Sequence, residues 1–426
     1  MMFEIKDGLM VEINEFNKTA SIALSPKATG DIFIPNFFEK ENIKYKIISI
    51  RDYAFEKCNI DSLTFPEDSE IETFGVRCFS TANIKKLQIP AKVKTIDGCF
   101  IRIKDLQEID LSSNNQHLLF HNNQYLLGKS DDTTNNFDIL HFAMFNVEAA
   151  TIPPQIKVIK EYSFYFHKKL NSIQFSPNSE LRIIENNAFS YTKITDLLFP
   201  ASLEEIKEQS FENASNLKTV KFMPNSNLKK MIQAFSNSKI ASISLPASVE
   251  YIDDECFSFT PNLCEIEVSE ENKFFKSING DYVEMESVKN SGVFDTILIA
   301  RRNIESVTIP AHIKVISSNA FQRCKKLKKI VFEPNSSLEL IKNYVFCSFA
   351  CEELVLPPSL KEVGSNSFSG NSKLKSIEFL SKSIILKDGC LNSCAVLSII
   401  FQNADQITFQ NKAMNGIPDN AKILVR

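Results

Sequence analysis

Phenylalanine preceded by a small or short side chain recurs along this chain at nearly even intervals. The pairs are Ala54-Phe55, Cys78-Phe79, Cys99-Phe100, Ser163-Phe164, Ala188-Phe189, Ser210-Phe211, Ala234-Phe235, Cys256-Phe257, Ala320-Phe321, Val345-Phe346 and Ser367-Phe368. Leu391 and Met414 take the same slot in two weaker units, and the steps are 21–25 residues except for two of 64. Phe is 35 of 426 residues while Trp is 0, so one structural slot is being filled many times over. A self-similar period of this length excludes a single globular core and demands a stack of like coils, each burying its apolar edge on the next.

Each unit carries the same phrases. Leu-x-x-Ile-x-Phe, as in Leu170 to Phe175, spaces two apolar residues two apart, so both face the interior of a short strand while the residues between face out. Proline follows at once in alternate units (Ile89-Pro90, Phe199-Pro200, Leu245-Pro246, Leu356-Pro357), and Pro-Asn-Ser follows in others; both stop the strand and turn the chain. A second short extended piece of the form Val/Leu-x-x-Ile comes next. A tight helical turn is then expected to point the phenylalanine inward. The period lies in the leucine-rich-repeat range.

The long steps carry a second periodicity. Phe100 and Phe257, Phe164 and Phe321, and Phe189 and Phe346 are each 157 residues apart, and residues 152–189 match 309–346 at 19 of 38 positions. The block has been duplicated. The expected fold is a leucine-rich-repeat solenoid, mainly β with short helical turns, of about 13 recognisable coils. Residues 1–50 read as an N-terminal β cap with the first strands, 51–403 as the solenoid and 404–426 as a C-terminal cap. Within the solenoid, 101–163 and 258–320 are expected to be irregular long coils carrying β-hairpins, with tips around Ser130–Asn136 and Ser287–Gly292.

Charge and composition then exclude whole classes of function. Lys+Arg is 48 and Asp+Glu 52, for a net charge of −4, which argues against a nucleic-acid surface. No apolar run is long enough to span a membrane. The N-terminus, Met1 to Gly8, has charges at Glu4, Lys6 and Asp7 and no signal-peptide apolar region, so a cytoplasmic or unconventionally exported chain is expected. The 10 cysteines are too sparse for a disulfide scaffold. Several sit beside the anchor phenylalanine, where a free thiol serves as a small hydrophobe. Cys347, Cys351, Cys390 and Cys394 fall in repeat slots with a spacing unlike the usual zinc pairs. His117, His121 and His141 share one long segment, yet their duplicates are Phe274, Ile278 and Leu298. No phosphate loop and no nucleophile–base set is recognisable, so neither catalysis nor a metal, cofactor or small-molecule substrate is expected.

These phrases resemble the BspA-like leucine-rich repeat family, whose consensus runs close to Leu-x-x-Ile-x-Ile-Pro-x-x-Val-x-x-Ile-x-x-x-Ala-Phe-x-x-Cys. Ile309-Pro310-Ala311-His312-Ile313-Lys314-Val315-Ile316, followed by Ala320-Phe321 and Cys324, carries the match, which extends over residues 45–415. Family members are regarded as surface antigens and adhesins of oral bacteria and parasitic protozoa. The resemblance therefore implies a cell-surface, non-catalytic protein that binds host or extracellular-matrix proteins. The alternative is an intracellular scaffold using the same face.

A partner is expected on the outward columns of the main strands. These carry Lys86/Gln88, Glu108/Asp110, Gln174, Asp196, Lys221, Glu265/Glu267, Thr308, Lys329, Glu353 and Glu378. Fourteen such strands at about 4.8 Å spacing make a continuous face on the order of 65 Å long, a size suited to a protein. The columns hold no aromatic anchor, and the matched Tyr125 and Tyr282 of the two hairpins are the candidates for that role, the alternative being that both pack on the solenoid.

Overall fold

The computed structural model describes residues 1–96, 98–286, 291–402, 404–410 and 412–426. Most of the second expected hairpin tip, residues 287–290, lies outside the described residues. The chain forms two compact units: Met1–Ile194 with Ser202–Phe211, and Thr195–Ala201 with Glu212–Arg426. Each is a β-solenoid. Among the described residues the only helical element is a 3-10 turn at Lys6–Gly8.

Unit 1 opens with an antiparallel meander of Met2–Glu4, Met10–Asn14 and Thr19–Ile22. Ile43–Ile50 then pairs in parallel with Thr19–Ile22. From there the chain alternates between two parallel ladders. In the main ladder Thr29–Phe33, Asn59–Thr64, Asn83–Ile89 and Glu108–Leu111 are hydrogen-bonded side by side, and Ala149–Ile152 pairs with Ser172–Phe175. In the second ladder Val158–Ile159, Ile183–Ile184 and Glu205–Ile206 follow one another. The two-residue alternation of the sequence produces the first ladder directly. In Ala149–Ile152 the even positions Ala150 and Ile152 are buried and the odd ones exposed.

Unit 2 repeats the scheme. Asp196–Phe199, Thr219–Phe222, Ser242–Leu245 and Glu265–Val268 form one main sheet, Ser306–Ile309 and Lys329–Phe332 a second, and Glu353–Leu356, Ser376–Phe379, Ser398–Phe401 and Lys422–Val425 a third. The expected single face of fourteen rungs is therefore divided into separate hydrogen-bonded sheets. At the hairpin coils the reason is visible: the inserted residues take the chain out of the main ladder before the next rung forms.

The expected helical turn at each anchor is instead a bracket of left-handed residues. The residue two before the anchor and the residue two after it both have positive φ: Asn187 (57°) and Tyr191 (63°) around Phe189, Tyr344 (57°) and Ser348 (59°) around Phe346, Asn366 (54°) and Gly370 (72°) around Phe368. This alternation aims every second N–H along the stacking direction. Tyr344, Phe346 and Ser348 donate to the carbonyls of Ser365, Ser367 and Ser369 in the next coil, at 3.0, 2.8 and 3.1 Å. The brackets thus make a third ladder that no secondary-structure pattern announces. Left-handed backbone costs a side-chain-bearing residue about 1 kcal/mol, and the interlocked ladder holds it there.

The anchor rings stack in register with that ladder. Phe164–Phe189 and Phe189–Phe211 have centroids 4.8 and 5.1 Å apart with planes within 14° and 7°. In unit 2, Phe321–Phe346 and Phe346–Phe368 are 5.3 and 5.6 Å apart. Each ring is worth about 2–3 kcal/mol of burial, and each offset pair about 0.5–1.5 kcal/mol more. The preceding slot must be small because it lies inside the turn. Where it is Ser, the hydroxyl is satisfied locally: Ser210 Oγ donates to Lys207 O at 2.5 Å and Ser367 Oγ to Lys342 O at 2.6 Å. Where it is Cys, the thiol is buried, and burial pushes Cys256 and Cys390 up to about 12.

The two long segments each build a three-stranded antiparallel meander. Leu118–His121, Tyr125–Gly128 and Ile139–Ala143 are joined in order, and Ile139–Ala143 enters the second ladder beside Val158–Ile159. Phe275–Ile278, Tyr282–Met285 and Thr296–Ala300 do the same in unit 2. The tight tips are Asn122-Asn123 (φ 52° and 54°) and Asn279-Gly280 (φ 51° and 71°), dipeptides suited to a turn with two left-handed residues. The polar run 130–136 is the loop of the wider second hairpin. One asparagine in each copy anchors the entry. Asn115 Nδ2 donates to Pro90 O and Val93 O, both at 2.9 Å, while its Oδ1 accepts from His117 N and Leu118 N. Asn272 makes the matching four bonds.

The copies also differ in coordinated ways. In unit 1 the buried His167 stacks on Phe145 at 4.1 Å; at the same positions unit 2 has Cys324 and the buried Arg302. Burial lowers His167 to about 4, against the pull of the Ala143 and Tyr165 carbonyls on its ring nitrogens.

Two outcomes follow for stability. Phe321→Ala should cost about 3–5 kcal/mol as a buried-ring deletion, while Ser306→Ala on the outward column stays within about 0.5 kcal/mol; equal losses in denaturant melts would refute the in/out assignment. His167 is neutral when folded and takes up a proton on unfolding. Its contribution is therefore complete above about pH 6.5 and is lost as pH falls toward its folded value of about 4. His167→Cys, the residue of the duplicate, should flatten the stability–pH slope in that window, read from chemical denaturation at stepped pH.

Candidate functional site

The outward residues of the main strands face solvent in both units and are bonded to their neighbours across the ladder. In unit 1 Lys86 lies opposite Glu108 with an ion pair of 3.0 Å, and Gln88 Nε2 reaches Asp110 Oδ2 at 3.5 Å. In unit 2 the Thr219 hydroxyl donates to Asp196 Oδ1 at 2.6 Å, and with burial opposing, this bond holds the carboxyl below its usual value. Lys221 is registered with the exposed Leu198, and Glu265 with Ser242. The Ser244 hydroxyl donates to Glu267 at 2.7 Å. Thr308 lies opposite Val331 and Lys329 opposite Ser306. Glu353 is opposite Ser376, and Glu378 sits between Val355 and Ile400, accepting from Gln402 Nε2. These contacts are exposed and are worth about 0–1 kcal/mol each.

The hairpin tyrosines are a correction to the expectation from sequence. Tyr125 is 2% and Tyr282 4% exposed, so neither ring is offered to a partner as a surface anchor. Tyr125 packs edge-on against the anchor Phe164 at 6.2 Å, and Tyr282 belongs to the hydrophobic core of unit 2. Both phenols are pushed up by burial. Tyr125–Gly128 is the middle strand of its meander, paired with Leu118–His121 on one side and Ile139–Ala143 on the other, and all four of its residues are buried, where a simple hairpin would expose half of them.

What the hairpin does instead is wall a groove. In unit 1 its tip, His121 to Tyr125, stands beside the main strands at Ala149, Thr151 and Gln174 and the turns Pro153-Pro154-Gln155 and Ser176-Pro177. The space enclosed is about 730 Å³. Of the expected partner residues, Gln174 and the edge of Tyr125 meet here; the others remain distributed along their sheets. His121, Asn122, Gln124 and Gln155 were not foreseen. The Asn-Asn tip was the available signal, and what it faces depends on a stacking contact that the sequence does not encode locally. The lining mixes amides and hydroxyls with the His121 imidazole, three prolines and the apolar Ala149, Ile152 and Phe175.

The three histidines of the first long segment do not converge. His121 lines this groove, whereas His117 and His141 line a separate pocket with Lys94, Lys160 and Asp132. His117 Nδ1 is 3.0 Å from Asp132. Among the described residues no group of three His, Cys, Asp or Glu is disposed to hold a metal. The thiols of Cys351 and Cys394 donate to Leu327 O and Phe368 O, and burial raises them to about 12 and 11, the condition of structural thiols. Among the described residues no helix is long and apolar enough to cross a membrane.

Tyr125→Ala should therefore behave as a core deletion, lowering stability by about 3–5 kcal/mol; a loss under about 1 kcal/mol in a denaturant melt would mean the ring is not a packing element.

The model of the BspA-type leucine-rich repeat region matches this chain in 6 copies, over residues 31–124, 137–264, 182–290 and 295–417. Among curated proteins none matches the sequence. Solved structures of similar architecture include the pneumococcal vaccine antigen PcpA, at 16% identity and a TM-score of 0.48, covering 100% of this chain and 93% of that one. A leucine-rich cell surface protein from Faecalibacterium prausnitzii is 14% identical with a TM-score of 0.47 and 98% coverage of both chains. A leucine-rich repeat protein from Eubacterium ventriosum is 15% identical with a TM-score of 0.44, covering 100% of this chain and 93% of that one. With the repeat model matched over most of its length, the chain belongs to the BspA-type leucine-rich repeat family.

Proposed function

We propose that this chain is a non-catalytic binding protein of the surface-antigen and adhesin type, holding an extended segment of a host or extracellular-matrix protein in the groove of unit 1. The observation that carries the reading is that groove: about 730 Å³, walled by the hairpin tip, floored by the ends of two main strands and lined by amide, hydroxyl and imidazole groups beside apolar ones. A leucine-rich repeat is a scaffold for protein contact, and the volume and open shape suit a peptide better than an enclosed metabolite. The polar columns on either side supply weak, exchangeable contacts that widen the footprint.

Protease treatment of intact native cells, followed by detection of this chain, tests the location; cleavage is expected without permeabilisation. Binding of the full chain to immobilised matrix proteins tests the groove. Thr151→Arg with Gln174→Arg fills it from the solvent side and should weaken a matrix interaction by about tenfold or more. A chain that binds as before sinks the groove, and a chain protected until the membrane is opened sinks the adhesin reading.

A further inference from the structure

The anchor turns of unit 1 carry side chains that their backbone does not favour. Left-handed positions are ordinarily filled by Gly or Asn, and several brackets obey, with Gly98, Asn187 and Asn213. Where the first long coil meets the next one, the same positions hold Arg77 (φ 55°), Arg102 (57°), Tyr162 (61°), Phe166 (66°) and Tyr191 (63°). Large side chains there exact a conformational cost that their burial does not offset, since each is half-buried or exposed.

These residues form one cluster. Tyr162 and Tyr165 meet edge-to-face at 5.3 Å, and Tyr165 and Tyr191 at 5.7 Å. The Arg102 guanidinium lies 4.2 Å from the centre of Phe166 and 5.5 Å from that of Tyr165, and Lys168 Nζ lies 4.3 Å from Phe166. Arg77 is 6.0 Å from Tyr162. Arg102 Nη2 donates to the Tyr165 hydroxyl at 3.5 Å, and the ion pairs of the lysines Lys85, Lys86, Lys94 and Lys160 involve none of Arg77, Arg102 and Lys168. Three cations thus stand over aromatic rings with donor groups to spare.

The duplication separates what is structural here from what is not. Offset by 157, Arg102 and Phe166 become Phe259 and Arg323, and that pair keeps its cation–π contact at 5.3 Å with the partners exchanged. The pair therefore staples the turns on either side of each inserted hairpin. Tyr162, Tyr165 and Tyr191 have no aromatic counterpart: unit 2 holds Asn319, Gln322 and Ser348 in their places and folds in the same way. The tyrosines are surplus to the fold.

We propose that this edge of unit 1 is a second docking surface, which receives an acidic segment of a partner polypeptide. Tyrosine and arginine in a half-buried cluster are the composition of interface hot spots. The three cations and the phenol O–H groups select carboxylates, and guanidinium presents them a planar fork. The rings meet edge-to-face, at 87° and 84°, so they form no parallel platform on which bases could stack.

Fluorescence anisotropy of the full chain with dye-labelled decaglutamate at low ionic strength tests it, with dye-labelled decalysine as a separate control probe and oligothymidylate as the competitor. Decaglutamate should bind, weaken with added salt, and resist the competitor. The variant Tyr162→Asn, Tyr165→Gln, Tyr191→Ser installs the residues of unit 2. It should bind about tenfold more weakly with an undiminished melting temperature, because Asn suits the left-handed position better than Tyr. Arg77→Gln, which leaves every ring in place, should also weaken binding. Unchanged affinity in both variants, binding no stronger than that of decalysine, or equal displacement by oligothymidylate would each overturn the proposal, the last in favour of nucleic acid. The variants leave the groove untouched, so loss of matrix binding and loss of decaglutamate binding are separable.

Discussion

Coil-to-coil registration at the anchor turn is the constraint on which the rest of this structure depends. Anchor N–H groups donate to the carbonyl of the small residue before the next anchor, as Phe189 does to Ser210 at 2.7 Å and Phe368 to Cys390 at 2.8 Å, and at the long coils Ala143 and Ala300 of the inserted meanders donate to Ser163 and Ala320 in the same way. The rings then stack at the same rise. Most main strands occupy only four residues per coil and the second ladder often two, too little to fix a coil alone. With the turn locked at the third corner, all three ladders share one register, and the outward columns are pinned in rows as a consequence.

The same lock explains how a long coil is tolerated. An insertion that opens and closes at one point of the solenoid disturbs only its neighbours, since stability is a sum over adjacent coils. The insertion is fastened at three points in each copy: by Asn115 or Asn272 at its entry, by the third strand in the second ladder, and by an arginine–phenylalanine contact bridging the flanking turns. Once held this way, the hairpin tip becomes a wall, and a repeat with only flat faces acquires a groove. The two copies differ at these turns, with Tyr162, Tyr165 and Tyr191 in unit 1 where unit 2 has Asn319, Gln322 and Ser348.

Much of this was legible from residue order. Leu170-x-x-Ile173-x-Phe175 states which side chains face inward, and the strand buries Ile173 and Phe175 while exposing Gln174. The offset of 157 foretells that Asn272 will do what Asn115 does. The anchor turn was misread as helical because its spacing resembles one turn of helix, and Tyr344 or Gln233 in a left-handed conformation gives no local sign of it. Tyr125 and Tyr282 are buried because each begins the middle strand of a meander, covered on both edges by strands that only the folded coil brings together.

The sequence by itself determined the repeat, the anchor ring, the inward face of each strand and the existence of two copies, since each of these is a periodicity and a periodicity needs no knowledge of distant contacts. Tertiary structure alone decided where the main face is interrupted, which tyrosines are buried, what the hairpin tip confronts and which turns share an aromatic cluster. Those features join residues such as Arg102 and Phe166, 64 positions apart, across coils that touch only after stacking. The free energy that fixes them belongs to the contact between coils, and no single coil encodes it.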